Sequence, residues 1–385
     1  MLPAIAPERD SNYAQPTTLP SPTPGIRFRR SPDPGFLKDH TVPKPTHRTS
    51  KSSDQLGKTD LAPVIAAIIP CYQETAHILD VLAAIGPEVQ RIYVIDDACP
   101  DGTGKLVEQS CKDARVHVHI NEINLGVGGA TLAGYQRALD DGAEIMVKLD
   151  GDGQMDPALI PHLTQPLLSR DADYTKGNRF HTMDGVSDMP LSRMVGNFIL
   201  SFASKLSSGY WNIFDPTNGF TALHAVAARR LQLDRLSFRY FFESDMLFHL
   251  GTIRAVVRDV PMRALYGSET SGIRIPKVIP EFLFKHCVNT CKRIYFTYFV
   301  REPNVATLQL VLGKLLLLFG LIFGTVNWID SETTGVPATA GTVVLAALPI
   351  IIGSQLLIAF LSHDTRNTPT EPLQSEQWPE SAVKD

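Results

Sequence analysis

The sequence predicts an α/β domain with a mostly parallel sheet, followed by two transmembrane α-helices. Three observations carry this. From Val64 to Leu149, apolar β-type runs alternate with amphipathic or glycine-rich helical stretches, the βαβ order that gives a right-handed parallel sheet. Two apolar stretches, Val305 to Val326 and Thr342 to Leu361, are each long enough to cross a hydrocarbon core of about 30 Å. The run Ile145 to Leu149 ends in Asp150-Gly151-Asp152-Gly153-Gln154, placing two carboxylates at the carboxyl end of a predicted strand, where open α/β sheets bind ligands.

Taken in order, Val64 to Ile69 is a continuous β-type run stopped by Pro70. An amphipathic stretch from Thr75 to Ile85, a strand Arg91 to Ile95 and a turn Asp96 to Thr103 follow. A helix from Gly104 to about Lys112, a strand Val116 to Ile120, a glycine-rich turn and a helix Gly129 to Asp140 complete the series. Residues 1 to 60 hold ten of the 28 prolines with many Ser and Thr and no apolar periodicity, which predicts a disordered tail. The first ten residues lack the apolar core of a signal peptide. A net charge of −4 gives no case for a nucleic-acid partner. Five cysteines show no zinc-type spacing with histidine, which points to free thiols in a reducing compartment.

The carboxylates carry the chemistry. Asp150 and Asp152 are one glycine apart and converge, and Gln154 adds a neutral oxygen. Such oxygen ligands suit a hard cation carrying phosphates, Mg²⁺ or Mn²⁺. Two other phosphate motifs are excluded. Gly104-Lys105-Leu106 lacks the Walker hydroxyl, and Thr131 stands where a dinucleotide fingerprint needs glycine.

Further landmarks fall in order. They are Ile69-Pro70-Cys71-Tyr72-Gln73-Glu74, then Asp96-Asp97-Ala98-Cys99-Pro100-Asp101-Gly102-Thr103, then Asn124-Leu125-Gly126-Val127-Gly128. After the Asp-x-Asp come Lys176-Gly177-Asn178-Arg179-Phe180 and Asp215-Pro216-Thr217-Asn218-Gly219-Phe220. Together these resemble the family 2 glycosyltransferases, in their polyprenyl-phosphate branch, over residues 64 to about 270. Gln73 replaces the usual Asn, and residues 266 to 275 depart from the family's basic loop.

The resemblance implies a GT-A type domain that moves a hexose from a UDP- or GDP-sugar to a polyprenyl phosphate, inverting the anomeric centre. Pro70, Tyr72, Glu74, Asp97, Gly126 and Asp150 would bind the nucleotide sugar, with Glu74 and Asp97 accepting hydrogen bonds from base and ribose. Asp152 and Gln154 would hold the metal, supported by Asp150, and Asp152 would be catalytic. Arg179 and Arg193 would hold the acceptor phosphate through guanidinium forks. Asp215, Glu243 and Asp245 are candidates for sugar binding or a base. Arg274 and Lys277 are candidates for the diphosphate.

The domain boundaries expected are a disordered tail over 1–60, the catalytic domain over 61–277, an amphipathic juxtamembrane helix over 278–302, membrane helices over 303–329 and 341–362, and a second disordered tail over 363–385. Lys292, Arg293, Arg301 and Arg366 flank the spans whereas the linker between them has no Lys or Arg, so the catalytic domain and both ends are expected on the cytoplasmic side. Lys314 inside the first span costs about 2.5 to 3.5 kcal/mol at a helix centre, and a homo-oligomer would give it a partner. Two alternatives stand beside this reading: transfer to a hydroxyl acceptor in polysaccharide synthesis, and a membrane-tethered nucleotide-binding protein without activity.

Overall fold

A computed structural model describes residues 63–180, 191–262 and 275–375, with 191–195 and 275–279 as backbone. The N-terminal tail, Arg274 and residues 376–385 lie outside the described residues, as do the side chains of Arg193 and Lys277.

The apolar runs form the sheet. Strands β1 (Ile65–Cys71), β2 (Arg91–Asp96), β3 (Val116–Ile120), β4 (Ile145–Lys148), β5 (Tyr174–Asn178), β6 (Thr221–His224) and β7 (Val257–Pro261) lie in the order β3-β2-β1-β4-β6-β5-β7. β6 alone runs against its neighbours, β4 and β5, and the other pairings are parallel. Strand order reverses between β1 and β4, the switch point at which such sheets open a crevice for ligands. Because β6 is antiparallel, the loop leading into it reaches the same edge as the carboxyl ends of β4 and β5. Three loops from distant parts of the chain therefore meet there.

Helices cover both faces. On one lie α1 (Ile78–Ala84), α2 (Thr103–Ser110) and α4 (Ile160–Leu168), and on the other α3 (Val127–Asp140) and α7 (Phe242–Thr252), with α6 (Ala225–Arg230) after β6. β1 is buried along its whole length, which explains its continuous apolar run. Helix α3 approaches so closely that a methyl group on Gly134 would lie 2.3 Å from Ile68.

Two helices continue the domain towards the apolar region. The amphipathic α8 (Ile275–Tyr295) docks one face on α5 (Leu191–Ser208) and α7: His286 Nδ1 meets Ser207 Oγ at 2.8 Å, Asn289 donates to Asp245 at 3.0 Å, and Arg293 Nε donates to the Leu206 carbonyl at 2.9 Å. Its other face leaves Phe284 and Tyr295 exposed, with both Cys287 and Cys291. A π-helical turn, Phe296–Arg301, leads into α9 (Val305–Thr334), capped by Asn304 and Thr307, and α10 (Ala340–Arg366) returns. At about 1.5 Å per residue both are longer than the spans expected, by several residues at one end. Only 22% and 11% of their apolar windows are buried, so these faces are unlike the core of a soluble protein. Lys314 lies on the exposed face of α9.

The second tail departs from expectation. Residues 363–366 complete α10, and Leu373–Ser375 form a short 3₁₀ turn bound to the domain. Backbone N–H groups of Leu373 (2.9 Å) and Gln374 (3.3 Å) donate to the buried Asp173, and Gln374 Nε2 donates to the Leu167 and Ala172 carbonyls. Polar composition hid this because the stabilising partners, the Asp173 carboxylate and two backbone carbonyls, are far away in sequence.

Within the hairpin, α9 and α10 meet at glycines. A methyl group on Gly353 would lie 2.7 Å from Leu317 N and 2.8 Å from the Gly313 carbonyl. Gly353→Ala is expected to push the helices apart and cost about 1 to 3 kcal/mol as overpacking does, read as a lower Tm of detergent-solubilised protein. An unchanged Tm would show that the hairpin is not closely packed.

Candidate active site

At the end of β1 the chain enters the left-handed region at Gln73 (φ 64°), where side chains rarely sit without a reason. The reason is lacing to the turn after β2. Gln73 N–H reaches Cys99 Sγ (3.1 Å), and Glu74 N–H donates to Thr103 Oγ1 (3.2 Å). Asp96 closes that turn by accepting from the backbone of Cys99 (2.7 Å) and Gly104 (2.6 Å). Asp97 is 3% exposed, and its carboxylate accepts from Asn121 Nδ2, Leu125 N–H and Gly126 N–H at 2.9, 2.9 and 2.7 Å. It thus ties the glycine-rich loop to β2. Gly126 has φ 86°, and a methyl group there would meet the Phe238 carbonyl at 2.8 Å. Tyr72 is exposed and Glu74 half-buried at the edge of the crevice.

Across the switch point, β4 delivers Asp150 and Asp152. Asp152 Oδ1 accepts its own loop's Gln154 N–H at 2.9 Å, and Asp152 and Gln154 are half-buried. Asp150 is held by Lys148, whose ammonium donates to it at 2.8 Å and to Glu243 Oε1 at 3.3 Å. Lys148 is 1% exposed. Burial alone would lower its pKa, yet the Asp150 and Glu243 carboxylates outweigh burial and hold it above the ordinary lysine value. A methyl group on Gly219 would lie 2.6 Å from Lys148 Nζ and 2.8 Å from Asp150 Oδ2, so the loop before β6 can pass only as glycine. Two half-buried carboxylates and an amide oxygen on one short loop fit Mg²⁺ or Mn²⁺, which take few protein oxygens and leave positions for phosphates. Among the described residues no group of three or more His, Cys, Asp or Glu is arranged to hold a metal, so the fit is to a substrate-completed site.

The third corner is built on β5. Arg179 donates a two-pronged fork to Asp215, Nε to Oδ2 at 2.7 Å and Nη2 to Oδ1 at 3.0 Å. Asp215 is fully buried, while 35% of the Arg179 side chain is exposed. Beneath them lies a polar bed: Lys176, fully buried, donates to the Asn218 carbonyl, and Asp259 Oδ2 accepts from Asn178 Nδ2 (2.9 Å) and Phe214 N–H (3.0 Å). Burial pulls Lys176 down to about 8, against the carboxylates of Glu243 and Asp215. Arg193 starts α5, close in sequence to this corner.

Asp215 thus orients Arg179. Asp245 is also hydrogen-bonded within the fold. It accepts from Ser237 N–H and Oγ and from Asn289, joining α7 to α8. None of Lys148, Lys176 and Asp259 was a candidate site residue in the sequence. A lysine inside the apolar run Ile145 to Leu149 was the available signal, since a buried ammonium requires carboxylates nearby.

Burial raises Asp259 to about 6, opposed by the Phe214 N–H and Lys176 and reinforced by Asp215, and its Oδ1 is buried without a hydrogen-bond partner. The folded state therefore holds this proton more tightly than the unfolded chain. Its contribution is complete below the ordinary carboxylate range and is lost as pH rises through about 6. Asp259→Asn, which resembles the protonated form, is expected to be neutral near pH 4 and to stabilise by about 1 to 2 kcal/mol at pH 8. A Tm difference that does not change with pH would contradict this.

Residues 66–231 match the family model "Glycosyl transferase family 2". The UDP-N-acetylglucosamine–dolichyl-phosphate N-acetylglucosaminyltransferase of Methanococcus voltae is 30% identical over 217 residues, 53% of this chain and 86% of that protein. The undecaprenyl-phosphate mannosyltransferase of Micrococcus luteus is 31% identical over 216 residues, 54% of this chain and 88% of that protein. A crystal structure of glucosyl-3-phosphoglycerate synthase from Mycobacterium tuberculosis with Mn²⁺, UDP-glucose and phosphoglyceric acid aligns with a TM-score of 0.44 at 17% identity, covering 60% of this chain and 80% of that one. With relatives this similar over most of their length, and a sheet whose carboxyl edge gathers the Asp-x-Asp loop, the chain belongs to glycosyl transferase family 2 and is a glycosyltransferase with a GT-A-like domain.

Proposed function

We propose that the chain transfers a hexose from a nucleotide sugar to a polyprenyl phosphate at a membrane surface. The observation that carries this is the Lys148–Glu243 contact of 3.3 Å. Glu243 is one of the acids that the resemblance offers as a base, and here a buried ammonium holds its carboxylate. The ammonium occupies one oxygen of that carboxylate, which suits an acceptor that arrives already ionised. A phosphate monoester, with a second pKa of about 6, is such an acceptor. Relatives named for dolichyl phosphate, undecaprenyl phosphate and polyprenol support the same class, as do the two apolar helices beside the domain.

The donor would lie in the crevice between β1 and β4. Asp152, with Asp150 and Gln154, would hold Mg²⁺ or Mn²⁺, which supplies Lewis-acid neutralisation of the diphosphate. Arg179, kept in one orientation by Asp215, would bind the acceptor phosphate, with Arg193 as its second cation. An acceptor phosphate oxygen then attacks the anomeric carbon as the bond to the diphosphate oxygen breaks. The nucleoside diphosphate leaves with the electron pair, the anomeric centre inverts, and no proton has to be removed. The basic residues flanking the apolar helices support a cytoplasmic location for this chemistry.

Membranes containing the chain, labelled UDP- and GDP-hexoses, polyprenyl phosphate and Mg²⁺ or Mn²⁺ test the reading. Label from one donor should enter the organic phase and fall about 100-fold or more in Asp152→Ala, matching several kcal/mol of lost charge stabilisation. Glu243→Gln should keep the rate within about threefold, whereas loss of a general base costs about 10² to 10⁴. Label on a hydroxyl acceptor in place of the lipid, or a 100-fold loss in a folded Glu243→Gln, would overturn it.

A further inference from the structure

Seven residues, Gly209 to Asp215, connect the apolar hairpin to the arginine corner. At one end Gly209 packs on the Arg293 guanidinium, where a methyl group would lie 3.2 Å from Nη1. Trp211 Nε1 donates to Asp364 Oδ2 at 3.1 Å. Asp364 belongs to the last turn of α10, is 2% exposed, and is also gripped by both Nη atoms of Arg293 (2.7 and 2.9 Å) and by Tyr298 Oη (2.7 Å). At the other end Asp215 forks Arg179. Between them the segment is pinned to one part of the domain: Tyr210 Oη donates to the Ala255 carbonyl at 2.6 Å, Asn212 to the Val257 carbonyl at 3.3 Å, and Phe214 N–H to Asp259 at 3.0 Å.

A segment held at five of its residues is a strut, and both its ends are charge-assisted. The hairpin side is a desolvated ion pair that a partner residue leaves at high cost. The arginine side is a bidentate fork, the geometry with the tightest orientation.

We propose that Gly209–Asp215 is a strut that sets the position of Arg179 relative to the membrane hairpin, with Trp211 and Asp215 as positioning residues for the acceptor site. The inference rests on the reading in which Arg179 holds the acceptor phosphate. A phosphate on a bilayer-embedded polyprenol lies at a fixed height, so the arginine must be held at that height. A short, water-soluble prenyl phosphate reaches the arginine by diffusion and carries no such requirement.

The test uses the full chain in lipid nanodiscs with two acceptors, a long-chain polyprenyl phosphate in the bilayer and a short soluble prenyl phosphate. Asp215→Asn weakens the fork itself and should raise KM for both acceptors about tenfold or more, with the nucleotide-sugar KM unchanged. Trp211→Phe removes one hydrogen bond and should raise KM about two- to tenfold for the bilayer acceptor alone. A structural defect would move both acceptors, the donor KM and Tm together. Equal effects of Trp211→Phe on the two acceptors, or none on either, overturn the strut even where Asp215→Asn fails to fold. Failure of the unaltered chain to use either phosphate would instead overturn the functional reading.

Discussion

An ammonium group with no access to water organises the carboxyl edge of the sheet. Lys148 ends β4 fully enclosed, and a buried cation is tolerated only when carboxylates surround it. Asp150 from the following loop and Glu243 from α7 meet that demand, and Gly219 leaves room for the loop before β6 to run across them. Three segments, at residues 148–150, 219 and 243, are locked by one charge. Removing a partner would strand the others, so this edge is held by mutual need more than by the strength of any one contact. The same demand holds Asp150 through its Oδ1, with Oδ2 lying beside Gly219.

Much of this was legible in the amino-acid order. β1, β2 and β4 are buried parallel strands, and their uninterrupted apolar runs are what such burial requires. The second half of the sheet was not legible. β5 reads Tyr-Thr-Lys-Gly-Asn, and its lysine and asparagine donate to Asn218 and Asp259, both distant in sequence. β6 has four residues, and β7 carries an arginine and an aspartate. Local pattern is silent when polarity is satisfied by tertiary partners. Spacing puts Asp150 and Asp152 on one short loop after β4, whereas it says nothing of the partners of Asp97, Asp215 and Asp245, which are a loop, an arginine and a helix respectively. Spacing places a carboxylate; only the fold says what it faces.

The apolar hairpin is joined to the domain at both of its open ends. On one side the π-helical turn brings Arg301 onto the Thr252 carbonyl, and on the other Arg254 reaches Asn367 at 3.3 Å, beside the Asp364 cluster. An anchor on a flexible tether would need none of these contacts. A hairpin bound at both ends holds the domain in a defined attitude, and the exposed aromatic side of α8, with Phe284 and Tyr295, extends the apolar surface away from the hairpin in the way an interfacial helix does.

The binding of Leu373 and Gln374 to Asp173 also orders events in time. Asp173, at the start of β5, receives its last donors from residues that follow α10. During synthesis the ribosome releases β5 some 200 residues earlier than these partners. Until both apolar helices have emerged, that carboxylate waits with the Val256 N–H as its protein donor among the described residues. The full set of donors to Asp173 is thereby coupled to completion of the hairpin, and until α10 is finished this carboxylate lacks the N–H groups of Leu373 and Gln374.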